Sequence, residues 1–312
     1  MAARFRHLPE LPPVFPAVPG WVRAGISDKV PASGGFLVGA ALAALHPIAR
    51  QNHPLGRLWR QRLALGCAAA LARHRGRGED ECMLRDALYL TRPGDDVGPA
   101  GRLLQAWRDL AARGGQTDRW PTCFATSLEL PATAAADELL QRAQAIACGT
   151  ADPMSAVAEI MATGLRLIPR NDLPALWLAD AVLAQRLGWP APVPLLARHL
   201  PRRALRPMSS GATGDPALIS ACTAAYAVAA AAAADLYADL SRRATRLLAV
   251  APKLRSRDAD DVVLALISED ARPAEAGRTT SDRSSRRLLE RLVALGAARE
   301  LTGRTTFRLY GL

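Results

Sequence analysis

Between Pro216 and Pro252 the chain carries neither proline nor glycine, and 14 of the 35 residues in "PALISACTAAYAVAAAAAADLYADLSRRATRLLAV" are alanine. Alanine loses least on entering a helix, and Asp215-Pro216 supplies a cap followed by a proline at the first helical position. The pattern predicts one helix from Pro216 to about Val250, ended by Pro252 and about 50 Å long. Its apolar part, Ala217–Ala234, is long enough to raise the question of a membrane span. Alanine is only weakly apolar, however, and Asp235 and Asp239 follow, so a buried helix without a membrane partner is expected.

The rest of the first 250 residues repeats the theme on a smaller scale. "GGFLVGAALAAL" after Ser33, "LGRLWRQRLALGCAAALARHRG", "GEDECMLRDALYL" and "GPAGRLLQAWRDLAARG" read as helices, as does "TAAADELLQRAQAIA". Asp152-Pro153 opens another, and Asp172 with Pro174 opens "LPALWLADAVLAQRLG". Residues 1–32, with "LPELPPVFPAVPG", read as an extended proline-rich arm, 114–131 as a loop, and 189–214 as a non-helical connector. Residues 33–250 are thus expected to form an all-helical bundle whose short loops join antiparallel neighbours. No β-sheet is expected there.

The last segment changes character. After "SRDADDVVLALISED", a helix, and "ARPAEAGR", a linker, comes "TTSDRSSRRLLERLVALG". Thr280 or Ser281 is placed to cap this helix, and Gly296 sits where a C′ glycine belongs. At 100° per residue Leu288, Leu289, Leu292 and Leu295 share one face, with Arg283, Arg286, Arg287 and Glu290 opposite. "ELTGRTTFRLYGL" then alternates about a turn at Gly303, which predicts a hairpin with Leu301, Phe307 and Leu309 inward and Thr306, Arg308 and Tyr310 outward. A helix, a glycine and a basic hairpin make the tail of a winged helix-turn-helix. The expected fold is therefore an all-α helical bundle with a small C-terminal winged-helix-like module at 256–312. The linker at 271–279 leaves room for only a turn of the helix that normally precedes a recognition helix.

Charge points the same way. The chain has a net charge of +11 and a pI near 10.4, which suits a polyanionic partner. From Gly277 to Leu312 eight arginines face three acids, a net +5. Double-stranded DNA is the expected partner. Arg283, Arg286 and Arg287 would reach base edges and phosphates, Ser284 a phosphate, and Arg304, Thr306 and Arg308 the backbone or minor groove beside the wing. The helical body offers a surface for a homodimer. A protein-interaction scaffold with a structural wing is the alternative, and an enzyme with an unseen site in the body comes third.

No catalytic, cofactor or metal motif is legible. The five cysteines are widely spaced without CxxC pairing, which suits reduced thiols in the cytoplasm. Glu79, Asp80, Glu81 and Asp86 cluster in a first helical turn, where acids complement the dipole. No phosphate-binding glycine loop occurs.

"RGEDECMLRDALYLTRPGDDVGPAGRLLQAWRDLA", "LLAVAPKLRSRDADDVVLALISEDA" and "LGAARELTGRTTFRLYGL" together resemble an uncharacterised bacterial family, domain of unknown function 1403, over roughly 30–312. The resemblance implies no activity and no site residues. The ending is also similar to the helix-turn-helix of domain of unknown function 1612, a group with a loose likeness to Fic proteins. "HPLGRLWRQR" begins like the Fic motif at His53, Pro54 and Arg57. No acid, asparagine or glycine-rich stretch follows, so AMP transfer is not expected.

Overall fold

The aspartates that precede prolines start helices by direct capping. Asp152 Oδ1 accepts from the amides of Met154 and Ser155 at 3.0 and 3.1 Å, and Asp215 Oδ1 from that of Ala217 at 2.8 Å. The computed structural model describes residues 8–312 except 14, 28–33, 93, 114–116, 206–214, 255–258, 275–281 and 304–306. The helices are α1 (Gly20–Ser27), α2 (Gly34–Ala49), α3 (Pro54–His74), α4 (Glu81–Tyr89), α5 (Gly98–Arg113), α6 (Trp120–Ser127) and α7 (Ala134–Cys148). They continue with α8 (Pro153–Leu167), α9 (Leu173–Arg186), α10 (Leu196–His199), α11 (Pro216–Val250), α12 (Ala259–Ser268) and α13 (Asp282–Ala294). Strand structure among the described residues is confined to β1 (Arg272–Pro273), β2 (Arg299–Glu300) and β3 (Leu309–Gly311).

α3 is the axis of the body. It packs against α5, α10, α11 and α12, while α2 lies along α11 and α8 against α9. From Leu63 to Ala72 α3 is buried on all sides, as expected of an enclosed helix. Two tryptophans tie it and its neighbours together through their only polar atom. Trp59 Nε1 donates to the carbonyl of Ala233 at 2.8 Å, and Trp177 Nε1 to that of Ala106 at 3.2 Å. α11 is long and apolar enough to cross a membrane, but 61% of its most apolar stretch is buried inside the fold.

Several sequence expectations are corrected. The proline-rich arm contains α1, which buries Val22. The expected loop at 114–131 contains α6, started by Trp120-Pro121 and anchored by buried Trp120 and Phe124. The connector expected to be non-helical contains α10 and a short 3-10 turn at Arg202–Leu205, and it buries Val193, Leu195, Leu196, Ala197 and Leu200. Asp172 stands at the N-cap of α9 as expected, but its carboxylate makes no capping hydrogen bond. Asn171 Oδ1 accepts from Leu173 N at 3.1 Å, and Asp172 pairs with Arg75.

Asp180, in the middle of α9, is buried and accepts from the amides of Leu195 and Leu196 and from the Tyr226 hydroxyl. Burial pushes its carboxyl up to about 7 against the pull of those three donors. An acid whose pKa is higher folded than unfolded binds its proton more tightly in the native state, so its contribution to stability is present below about pH 4 and lost as pH rises to about 7. Compared with Asp180→Asn, the wild type should therefore lose about 3 kcal/mol between pH 4 and pH 7.5. Urea titrations of both proteins at the two pH values measure this. A pH-independent difference would contradict it.

Candidate nucleic-acid interface

The C-terminal module starts with α12, which turns Val262, Val263, Leu266 and Ile267 inward. β1 follows at once, inside the stretch read as a linker. Its proline is tolerated because β1 is an edge strand. The sheet order is β1-β3-β2, all antiparallel, with Arg272 opposite Tyr310 and Arg299 opposite Gly311. The last strand is thus the central one.

That position explains what the alternation rule missed. Leu309, Tyr310, Gly311 and Leu312 are all buried, because β3 is paired on both edges and covered on both faces. Tyr310, expected outward, is buried, and that burial pushes its hydroxyl up. Phe307, expected inward, is 57% exposed at a left-handed φ of 54°, so the backbone has left the strand before reaching it. Leu301 is half-buried.

A buried carboxylate joins the module to the body. Asp270, between α12 and β1, is fully buried and meets three arginines. Arg62 Nε of α3 lies 2.5 Å from Oδ1, Arg85 Nε of α4 3.0 Å from Oδ2, and Arg108 Nη2 of α5 3.3 Å from Oδ2. Its amide donates to Gln61 Oε1 at 2.8 Å. Arg62 Nη2 donates to the carbonyls of Asp270 and Leu312 at 3.0 and 3.2 Å. Burial lowers the pKa of Arg62, with Asp270 acting in the opposite direction. Arg108 also sits over the Tyr89 ring, whose hydroxyl accepts from the amide of Ala271. Leu288, Leu289 and Leu292 join the same apolar core as the body.

α13 holds that core with one face and presents arginines with the other. Leu288, Leu289 and Leu292 are buried, whereas Leu295, expected beside them, is 39% exposed just past the end of the helix. Gly296 takes φ 64°, the left-handed C′ position that the sequence predicts. Arg286, Arg287, Glu290 and Arg291 are exposed, and Ser284 is half-buried. Arg286 is already engaged within the chain. Arg308 Nη1 lies 3.6 Å from Glu300 across the hairpin. Arg304, Thr306, the caps Thr280 and Ser281, and the side chain of Arg283 lie outside the described residues.

The structure adds basic groups that the sequence did not connect to the module. The guanidinium of Arg246, on α11, comes within 3.8 Å of where a Cβ on Gly296 would stand. Arg242 and Arg243, one turn earlier, share Asp239 at 3.2 and 2.6 Å. Arg246 therefore stands beside the turn that ends α13. Only the tertiary packing brings it there. Elsewhere His53 caps α3, its Nδ1 accepting from Leu55 N at 3.1 Å. No cluster of metal-ligating side chains occurs among the described residues.

No curated protein matches the chain. The family described as "Protein of unknown function (DUF1403)" matches residues 12–312, body and C-terminal module alike. The chain belongs to the DUF1403 family.

Proposed function

We propose that this protein binds double-stranded DNA through its C-terminal module, with α13 in the major groove. The observation that carries the reading is the exposed row of Arg287 and Arg291 on a helix that buries Leu288, Leu289 and Leu292, with Arg246 of α11 close to Gly296 just past its end. A recognition helix needs this division, one face in the core and one row of donors facing solvent. The order α12, β1, α13, β2, β3 among the described residues, with the last strand central, resembles that of a winged helix-turn-helix apart from the helix that normally precedes the recognition helix, and this likeness supports the reading. The Arg308–Glu300 pair favours a second reading, a scaffold whose hairpin is purely structural.

Selection of bound duplexes from a random library, using the whole protein, tests the proposal. A preferred site should emerge. Arg287→Ala should weaken that site by about 1–3 kcal/mol and relax the preference at one base position. Failure to enrich any sequence, together with no binding to the unselected library, would favour the scaffold.

A further inference from the structure

On the far side of α11 the body carries an apolar cavity of about 1350 Å³, walled by α1, α2 and the first turns of α8 and α11. Gly35 and Gly39 of α2 and Ala224 and Val228 of α11 are among its lining. Glycine inside a helix costs about 1 kcal/mol relative to alanine, yet a Cβ on Gly35 or Gly39 would meet nothing within 4 Å. Local packing does not demand either glycine. Both leave the wall hollow.

Beside the cavity stands a projection of matching character. Trp21, one turn before the lining residue Gly25, stacks on Phe36, next to Gly35, with ring centroids 5.2 Å apart and planes at 22°. Trp21 is 52% exposed and Phe36 70%. Two stacked aromatic rings held in water at the rim of an apolar hollow are the composition of an interface core, rich in aromatics and poor in charge.

We propose that this face is a two-fold interface between two copies of the chain, with the Trp21–Phe36 pair of each seated in the cavity of the other. Projection and hollow lie side by side on one chain, so a single two-fold axis between them satisfies both at once. Charge does not oppose a second copy on this face. The chain carries +11 overall, and two copies repel over most of their surface. Here the only fully charged lining residues among those described are Asp152 and Arg203, of opposite sign. The inference does not rest on DNA binding.

Light scattering after size exclusion, on the full-length protein without DNA, reads the result. The wild type should run as a dimer at micromolar concentration. Phe36→Glu should raise the dimer dissociation constant by about 30-fold or more, as expected for loss of an interface anchor. Gly39→Glu, which places a charge inside the hollow at an exposed helix position, should do the same. Both variants should stay folded, with the helical circular dichroism of the wild type, since Phe36 is 70% exposed and a Cβ on Gly39 meets nothing within 4 Å. A monomeric wild type overturns the proposal, as does a dimer that survives both substitutions. A monomer whose cavity instead takes up anilinonaphthalene sulfonate, with uptake lost in Gly39→Glu, also overturns it and marks a small-molecule site.

Discussion

Asp270→Ala is expected to lower the unfolding free energy by about 3–5 kcal/mol, because it leaves Arg62, Arg85 and Arg108 around an empty, buried space. The size follows from asymmetry. A buried ion pair contributes little net stability when compared with apolar residues of the same shape, since desolvation offsets the attraction. Removing one partner alone leaves the other charges buried without compensation. Here three cations lose their shared anion, and the Asp270 carboxylate is fully inaccessible to water. The contrast is Asp235→Ala. Asp235 pairs with Arg23 at 2.6 Å, but both side chains are largely solvated. That substitution should cost less than about 1 kcal/mol. Urea unfolding followed by tryptophan fluorescence compares the two. Equal, small effects would show that Asp270 does not hold the module to the body.

Deleting Leu309–Leu312 should have a larger effect still. Leu309, Tyr310 and Leu312 are buried, and each such side chain contributes roughly 1.5–3 kcal/mol, or about 4.5–9 kcal/mol together. The deletion also removes the central strand, leaving β1 and β2 without a partner, and the Leu312 carbonyl that accepts from Arg62 and Arg299. Natural domains are stable by about 5–15 kcal/mol, so the truncated chain should lose cooperative unfolding of the module or fail to fold. A truncated protein with an unchanged thermal transition would mean that the terminal strand is not packed against the body.

Local rules carried the helices and failed where several elements meet. Asp152-Pro153, Asp215-Pro216 and Gly296 were legible because caps and C′ glycines act over four residues of chain. α1 and α6 were not, because proline and short length masked them, and burial of Val22, Trp120 and Phe124 decides their conformation. The Leu288–Leu289–Leu292 face was legible from helical periodicity. The hairpin faces were not, because alternation assumes one wet side, and β3 has none. Asp270 looked like one acid in "ISEDA". Its role depends on arginines 162 to 208 positions away in the chain, a relation no local pattern reveals. For the same reason Arg287 could be named as a surface donor from sequence, whereas Arg246 could not be joined to it.

The central claim is that the face shared by α13 and the end of α11 grips a polyanion. Fluorescence anisotropy of the whole protein on a labelled mixed-sequence duplex, from 50 to 200 mM salt, measures it most directly. Each phosphate neutralised adds about 0.9 to the negative slope of log affinity against log salt, so three contacts give a slope of about −3 and roughly a 40-fold loss over that range. The expected slope is at least that steep, and shallower by about three units when Arg246, Arg287 and Arg291 are all replaced by alanine. No binding at 50 mM salt, or a slope that the triple substitution leaves unchanged, would contradict it.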